Sequence, residues 1–547
     1  MKMKYLFSSL ASFFICISAF AQTQNSKGAD YFSLGETKLA KEVFEKSVSQ
    51  SPDESYYYLG EIALLAGNTN EARANYQKGV SANPEAAFSA IGLAKIDMKA
   101  NPKEMDKALK EIIKKNKKNV PVILQAAKAY FENGMKEEGD KALSEARKAD
   151  KKSPLIYIFE GDMLAKQNKA GDAAMQYDQA RNFDANCVLA YIKAAKVYES
   201  INPNTSSEML RKALEINPSY AIANKYLAEL SYQTGFYSQA ADSYKAYFSG
   251  GDYTIDDLTR YAASLYFDKK YDESLSAIKE GLAKEPNHRV LNRLLMYTNE
   301  KVKDYDGALA AGEKFFNLPL GNDTIKFLVE DYTTFADVLK EKGEVDRAIT
   351  EYEKAIKLDP SKISIYKDIA SSLSKEGKPA AAGDLLQKYI DLAENEETSD
   401  FLQMGSYYYR AAGTASKSED EAEKAKVPEY VGKADAAFAK VIELAPDSYQ
   451  GYYWRANANT LLDPDLSKGL ANPYYEKMIE IITGEGNGQY QSQLVEGYRY
   501  LSIFNLYRFD ASKKAEDKDK AKSYAEKVLE LNPEDGTAKQ ILEYVSQ

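Results

Sequence analysis

The chain has 547 residues, 44% of them apolar and 28% charged, with 42 Tyr and 21 Phe. That length exceeds one ordinary hydrophobic core, and that aromatic content argues against a disordered chain. A net charge of −10 speaks against nucleic acid or an anionic membrane surface as partner, and two Cys are too few for a disulfide framework.

The N-terminus opens with Lys2 and Lys4, continues as a mostly apolar run over 5–20, and reaches the small-x-small site Ala19-Phe20-Ala21. The run is too short and too rich in Ser for a membrane span. These features predict a signal peptide over 1–21, cleaved before Gln22. Cys16 follows Phe14-Ile15, which lack the small residues of a lipobox, so a soluble exported protein is expected. Cleavage would take the net charge to −12 and leave Cys187, read as a small packed residue at a helix start.

Beyond the leader, proline recurs after the end of an apolar helical stripe, at Pro84, Pro218, Pro360, Pro446 and Pro533. Proline cannot continue a helix but suits the first turn of the next. Twelve residues before four of these stand Ala72, Ala348, Ala434 and Ala521, and the first three are followed four residues on by Tyr76, Tyr352 and Phe438. Those offsets place a small residue and an aromatic on one helix face. Upstream, Tyr56, Leu59-Gly60 and Ala63 have helical spacing, repeated by Tyr332, Phe335-Ala336 and Leu339. A short polar turn joins the two helices, as in 66–70, which predicts an antiparallel helical hairpin.

This pattern resembles the tetratricopeptide repeat, a unit of about 34 residues whose signature runs aromatic, Leu-Gly, Tyr, then Ala, aromatic, Ala and Pro. Residues 53–84 match it closely, residues 331–360 nearly as well, and weaker units keep the phase, so the resemblance covers nearly all of the mature chain. It implies an all-α, right-handed superhelical solenoid of about 13–14 hairpins. The expected organisation is an array of standard-length units over 22–394, an array with longer inter-helix inserts over 395–533, and a capping helix over 534–547. The charged stretches 411–430 and 510–520 and the Gly-rich 483–489 read as surface loops.

Catalytic parts are missing from the sequence. His288 is the single histidine and has no second His or Cys nearby, so metal ligation and triad chemistry lack their usual groups. The Gly-rich 484–488 lacks the Lys-Ser/Thr of a phosphate loop. No enzyme, cofactor or metal is expected. The resemblance implies instead that the first helix of each unit lines a concave face that binds proteins or peptides. Family geometry carries that face onto Tyr57, Glu61, Lys225, Glu229, Tyr232, Thr259, Tyr266, Thr333, Asp337 and Lys340, and Trp454 joins them as the single tryptophan. The family's carboxylate clamp is not matched, because Glu229 stands where Asn is required. The expected role is a scaffold of the bacterial cell envelope, in the periplasm, with protein partners; the leader and the Tyr-rich chain look like a Bacteroidetes-type exported protein. The alternative is a glycan-binding protein of a nutrient-uptake system, stacking sugars on Trp454 and exposed Tyr.

Overall fold

A computed structural model describes residues 24–83, 85–251, 253–320, 326–484 and 488–546. The expected signal peptide and its cleavage site, Pro84 at the end of the closely matching unit, and part of the 483–489 loop lie outside the described residues. Within these limits the fold is an all-α helical-repeat solenoid, divided into two compact units, 1–319 and 320–547.

In the first unit eighteen helices pair as hairpins in chain order. They are α1 (Gln24–Leu34) with α2 (Thr37–Ser47), α3 (Pro52–Leu65) with α4 (Thr69–Ala82), α5 (Ala87–Asp97) with α6 (Pro102–Lys115), and α7 (Val120–Glu132) with α8 (Lys136–Ala149). Next come α9 (Pro154–Lys166) with α10 (Ala170–Phe183), α11 (Val188–Tyr198) with α12 (Pro203–Ile216), and α13 (Ala221–Gln233) with α14 (Tyr237–Phe248). The last pairs are α15 (Ile255–Phe267) with α16 (Tyr271–Lys284) and α17 (Arg289–Lys301) with α18 (Tyr305–Asn317). Proline opens α3, α6, α9 and α12, where its missing N–H costs nothing. Several of the turns inside hairpins use one left-handed residue, which Gly67, Gly134 and Gly235 supply at φ near +80°.

The second unit holds α19 (Val329–Glu341) with α20 (Val345–Leu358) and α21 (Ile365–Lys375) with α22 (Pro379–Leu392). Then α23 (Thr398–Ser416) pairs with α25 (Val427–Leu444) across the short α24 (Glu421–Lys424), α26 (Tyr449–Thr460) with α27 (Asn472–Gly484), and α28 (Gln491–Ser512) with α29 (Ala515–Leu531). Helix α30 (Gly536–Ser546) closes the array by burying Ala538, Ile541 and Val545. Only parts of the stretches 411–430 and 510–520 are the loops their charge suggested, namely the connection around the short α24 and the turn at 513–514. Residues 411–416 extend α23 and 427–430 begin α25, while 510–512 and 515–520 belong to α28 and α29. Ala, Lys and Glu are strong helix formers, so a polar insert rich in them lengthens a hairpin instead of breaking it.

The hairpins are held by aromatic rings seated on glycines. Tyr76 of α4 is fully buried between Gly60 of α3 and Gly92 of α5. A Cβ at Gly60 would stand 2.2 Å from the Tyr76 ring, and one at Gly92 2.5 Å from it. Tyr177 rests in the same way on Gly161, and Phe438 on Gly405, where a Cβ would come within 2.5 and 2.4 Å. One ring thereby fastens its own hairpin, and in the case of Tyr76 the next one as well.

Gly60→Ala is expected to destabilise the chain by roughly 1–3 kcal/mol, because the ring has to move out of a packed seat. Gly432→Ala, at an exposed mid-helix position of α25 with nothing within 4 Å of the new Cβ, should instead stabilise by about 0.5–1 kcal/mol. Urea unfolding of the two variants beside the parent reads both signs.

Candidate functional site

One position of the first helix recurs as Glu61, Lys95, Lys128, Asp162, Lys196 and Glu229, on α3, α5, α7, α9, α11 and α13, at steps of 33 or 34 residues. The repeat therefore builds a column of charged side chains along one face of the unit. Glu61 is 3% exposed. It accepts a hydrogen bond from Tyr76 Oη at 2.7 Å, pairs with Lys128 at 3.0 Å, and is in closer contact with Lys95. Burial would raise the Glu61 carboxyl, but Lys128 and Lys95 outweigh it and hold the group down at about 2. Burial likewise opposes the charge of Lys128, yet Glu61 and Glu132 keep its ammonium above the ordinary value.

The same construction returns at two further hairpins. Tyr177 Oη, fifteen residues beyond Asp162, donates to it at 2.8 Å, and Lys193 of the next first helix pairs with it at 2.9 Å. Tyr352 Oη, fifteen beyond Asp337, donates to that carboxylate. A tyrosine from the second helix and, where present, a lysine from the following hairpin thus satisfy each acid.

Between α1, α3, α5, α7 and α9 this face carries an open recess of about 800 Å³. Phe32, Leu64, Ile96, Phe159 and Met163 give it apolar walls, Glu61, Lys95, Lys128 and Asp162 polar ones, and the exposed Lys99 and Lys166 stand on its border. An apolar recess with a few oriented polar groups is the common form of a binding site.

The opening hairpin packs against helices 160–190 residues away. Its α1–α2 corner presents the carbonyls of Ser33 and Leu34, which accept from Lys193 at 2.5 Å and Lys196 at 3.0 Å. Glu36 accepts from Lys225 at 2.6 Å and from Tyr226 Oη at 3.0 Å, and Asp30 from Tyr220 Oη at 2.5 Å. Lysine side chains here meet the negative end of α1 as well as a full carboxylate. Lys225 also lies 3.1 Å from Asp257; burial lowers its ammonium, but Asp257 and Glu36 more than compensate.

These contacts decide where the residues selected from sequence stand. Glu61 borders the cavity. Tyr57 is buried beneath it, donating to Gln125 at 2.8 Å, and Lys225 is covered by the α1–α2 corner. Thr259 is buried and donates to the Ile255 carbonyl at 2.8 Å. Glu229 is held by Arg260 at 2.7 Å, and burial, against Lys225 and Arg260, raises its carboxyl. Tyr232 packs edge-on to Tyr237 and against Phe267, and Tyr266 against Tyr271 and Tyr297. In the second unit Thr333 is half-buried, Asp337 and Lys340 lie 3.5 Å apart, and Trp454 is stacked on Phe438. The sequence reading missed Lys95, Lys128, Asp162, Phe159 and Met163; stepping from Glu61 by one repeat length finds the first three.

His288 caps α17, its Nδ1 accepting from the Leu291 N–H at 3.3 Å. Burial pushes the Cys187 thiol up to about 11, far from a reactive thiolate. Among the described residues no group of three or more His, Cys, Asp or Glu is placed to hold a metal ion, and no helix is long and apolar enough to cross a membrane.

Three family models describing tetratricopeptide or TPR repeats match the chain, at residues 26–87, 336–377 and 510–535. Solved structures similar to it include the C-terminal part of a TPR repeat-containing protein from Cytophaga hutchinsonii, at 28% identity over 52% of this chain and 99% of that one, with a TM-score of 0.31. YrrB, a TPR protein with an unusual peptide-binding site, is 19% identical over 33% of this chain and 94% of its own, with a TM-score of 0.31. PilW, a widely conserved type IV pilus biogenesis factor, is 17% identical over 38% and 96%, with a TM-score of 0.30. No curated protein matches the chain.

Two outcomes follow from this geometry. The folded-state carboxyl of Glu61 lies below its unfolded value of 4.5, so its contribution is complete above about pH 4.5 and is lost as pH falls toward 2. Glu61→Gln should lower stability at neutral pH by on the order of 3 kcal/mol and flatten the pH dependence between 4.5 and 2, read by denaturant unfolding at several pH values. Glu36→Lys should release the opening hairpin, seen as faster amide exchange over 24–47 with little change over α5–α8.

Proposed function

We propose that this tetratricopeptide-repeat protein is a non-catalytic scaffold of the bacterial cell envelope, exported to the periplasm, which binds partner proteins or peptides on the face of its first helices. Domains of this repeat bind protein or peptide partners, and a long face of mixed chemistry suits that work better than one deep reactive pocket.

The observation that carries the reading is the cavity walled by five successive first helices. Its apolar walls offer burial to a partner's side chain, and its fixed ammonium and carboxylate groups offer orientation. The charged column is already neutralised internally, so a partner need not strip water from bare charges to enter. The export signal read in residues 1–21 supports an envelope location.

A photo-cross-linking amino acid at Met163, within the cavity, is expected to capture a discrete partner in the native host's envelope fraction. The same group at Lys212, exposed on α12 away from the cavity, should capture none. Equal labelling from both positions, or none from Met163, overturns the reading.

A further inference from the structure

In the second unit, carboxylates are repeatedly answered by a cation that also lies over an aromatic ring. Asp384 accepts from Tyr408 Oη at 2.8 Å and pairs with Lys433 at 3.1 Å, and the Lys433 ammonium lies 5.1 Å from the Tyr408 ring centre. Asp400 pairs with Lys367 at 2.5 Å, and Lys367 lies 4.2 Å from the ring centre of Tyr389. Asp435 holds Arg455 at 2.7 Å, and the Arg455 guanidinium lies 4.4 Å from the ring centre of Tyr474. Carboxylate, cation and π-face form one recurrent arrangement, in which charge and ring quadrupole attract the same cation.

A fourth carboxylate has the rings and lacks the cation. Glu496 of α28 accepts from Tyr453 Oη at 2.9 Å and from Tyr475 Oη at 3.0 Å. Tyr453 packs edge-on to Trp454 with ring centres 5.2 Å apart, and Tyr409 of α23 does so from another side at 5.7 Å. The buried Phe438 backs Trp454 and fixes its plane. Burial and then the Glu496 charge raise the Tyr409 hydroxyl, so the carboxylate acts on that ring as well. Two nearby bases in sequence, Arg455 and Arg499, are committed to Asp435 and Asp535, and among the described residues no lysine or arginine forms an ion pair with Glu496. Trp454, Tyr409, Tyr453 and Glu496 are all half-buried, which leaves them reachable from solvent.

We propose that Glu496, Tyr409, Tyr453 and Trp454 form a cation-binding cage that takes the side chain of a lysine or arginine from a partner protein. The two tyrosine hydroxyls fix the carboxylate without neutralising it. The incoming ammonium or guanidinium supplies the missing charge and lies against the Trp454 and Tyr409 rings, the place that Lys433, Lys367 and Arg455 take at the other three positions. The site rests on the reading of the first-helix face as a binding surface, to which it adds the charge of the bound residue.

Trp454 is the single tryptophan of the chain, so its emission reports on the cage alone. The full chain is titrated with Nα-acetyl-arginine amide, Nα-acetyl-lysine amide and, as neutral controls, Nα-acetyl-citrulline amide and maltoheptaose, at constant ionic strength. Expected is a saturable change with the two cations, with affinity on the order of millimolar as befits a single side chain, and none with the controls. Glu496→Gln should weaken binding at least about tenfold. Glu480→Gln, an equal change in net charge on the exposed face of α27, should leave it unaltered. Tyr409→Leu, which keeps both hydrogen bonds to Glu496, should weaken it several-fold and serves if Glu496→Gln fails to fold. No saturable response, an equal response to citrulline amide or maltoheptaose, or identical behaviour of the two Gln variants overturns the proposal. Because the probes are small cations, that result is separate from partner capture at Met163 in the other unit.

Discussion

A ring that fits only where a neighbouring residue has no side chain is the constraint on which the rest of this architecture depends. Tyr76 is pressed between two glycines of successive first helices, and Tyr177 and Phe438 repeat half of that arrangement. The approach sets the distance between helices in a hairpin and between one hairpin and the next. Once that spacing is repeated, the same position of every first helix falls in line. The charged column of the first unit is a by-product of regular packing, and the cavity beside it exists because the column's neighbours point the same way.

Buried charge is the second feature that packing makes possible. An isolated carboxylate as enclosed as Glu61 would be costly, yet it is met by a tyrosine from its own hairpin and lysines from the following two. These partners belong to three hairpins, so the network ties units that otherwise touch only as neighbours. The opening hairpin extends the principle across a much longer stretch of chain. Lys193, Lys196 and Lys225 receive the carbonyls and the carboxylate of its corner, much as such a face would receive a helix end from another molecule.

The second unit uses the same ingredients differently. Four of its later helices, α23, α25, α28 and α29, are longer, 17 to 22 residues against 11 to 14 in the α-helices before α23. As in the first unit, where Lys284 pairs with Glu280 and lies 4.5 Å from the Tyr253 ring centre, its aromatic rings serve cations as well as glycines. Carboxylate, ring and basic side chain recur at Asp384, Asp400 and Asp435, and at Glu496 the ring system is largest. That the single tryptophan stands there, braced by Phe438, concentrates the strongest π-face of the chain on an acid that has no basic partner of its own.

The sequence by itself determined the hairpins, because proline, glycine and aromatic spacing act locally: Pro52 and Pro154 open helices, Gly67 and Gly235 turn them, and Tyr76 declares its seat in Gly60. The charged column was in principle equally legible, since Lys95, Lys128, Asp162, Lys196 and Glu229 follow Glu61 at the repeat length. The helical state of 510–512 and 515–520 was hidden by charge, which marks exposure and says nothing of backbone state. Only the tertiary structure decided that Tyr57, Lys225 and Thr259 are covered, that the α1–α2 corner meets helices far along the chain, and that Glu496 lies among aromatic side chains of three other helices. Such pairings depend on small rotations accumulated over many hairpins, and no local pattern of residues encodes their sum.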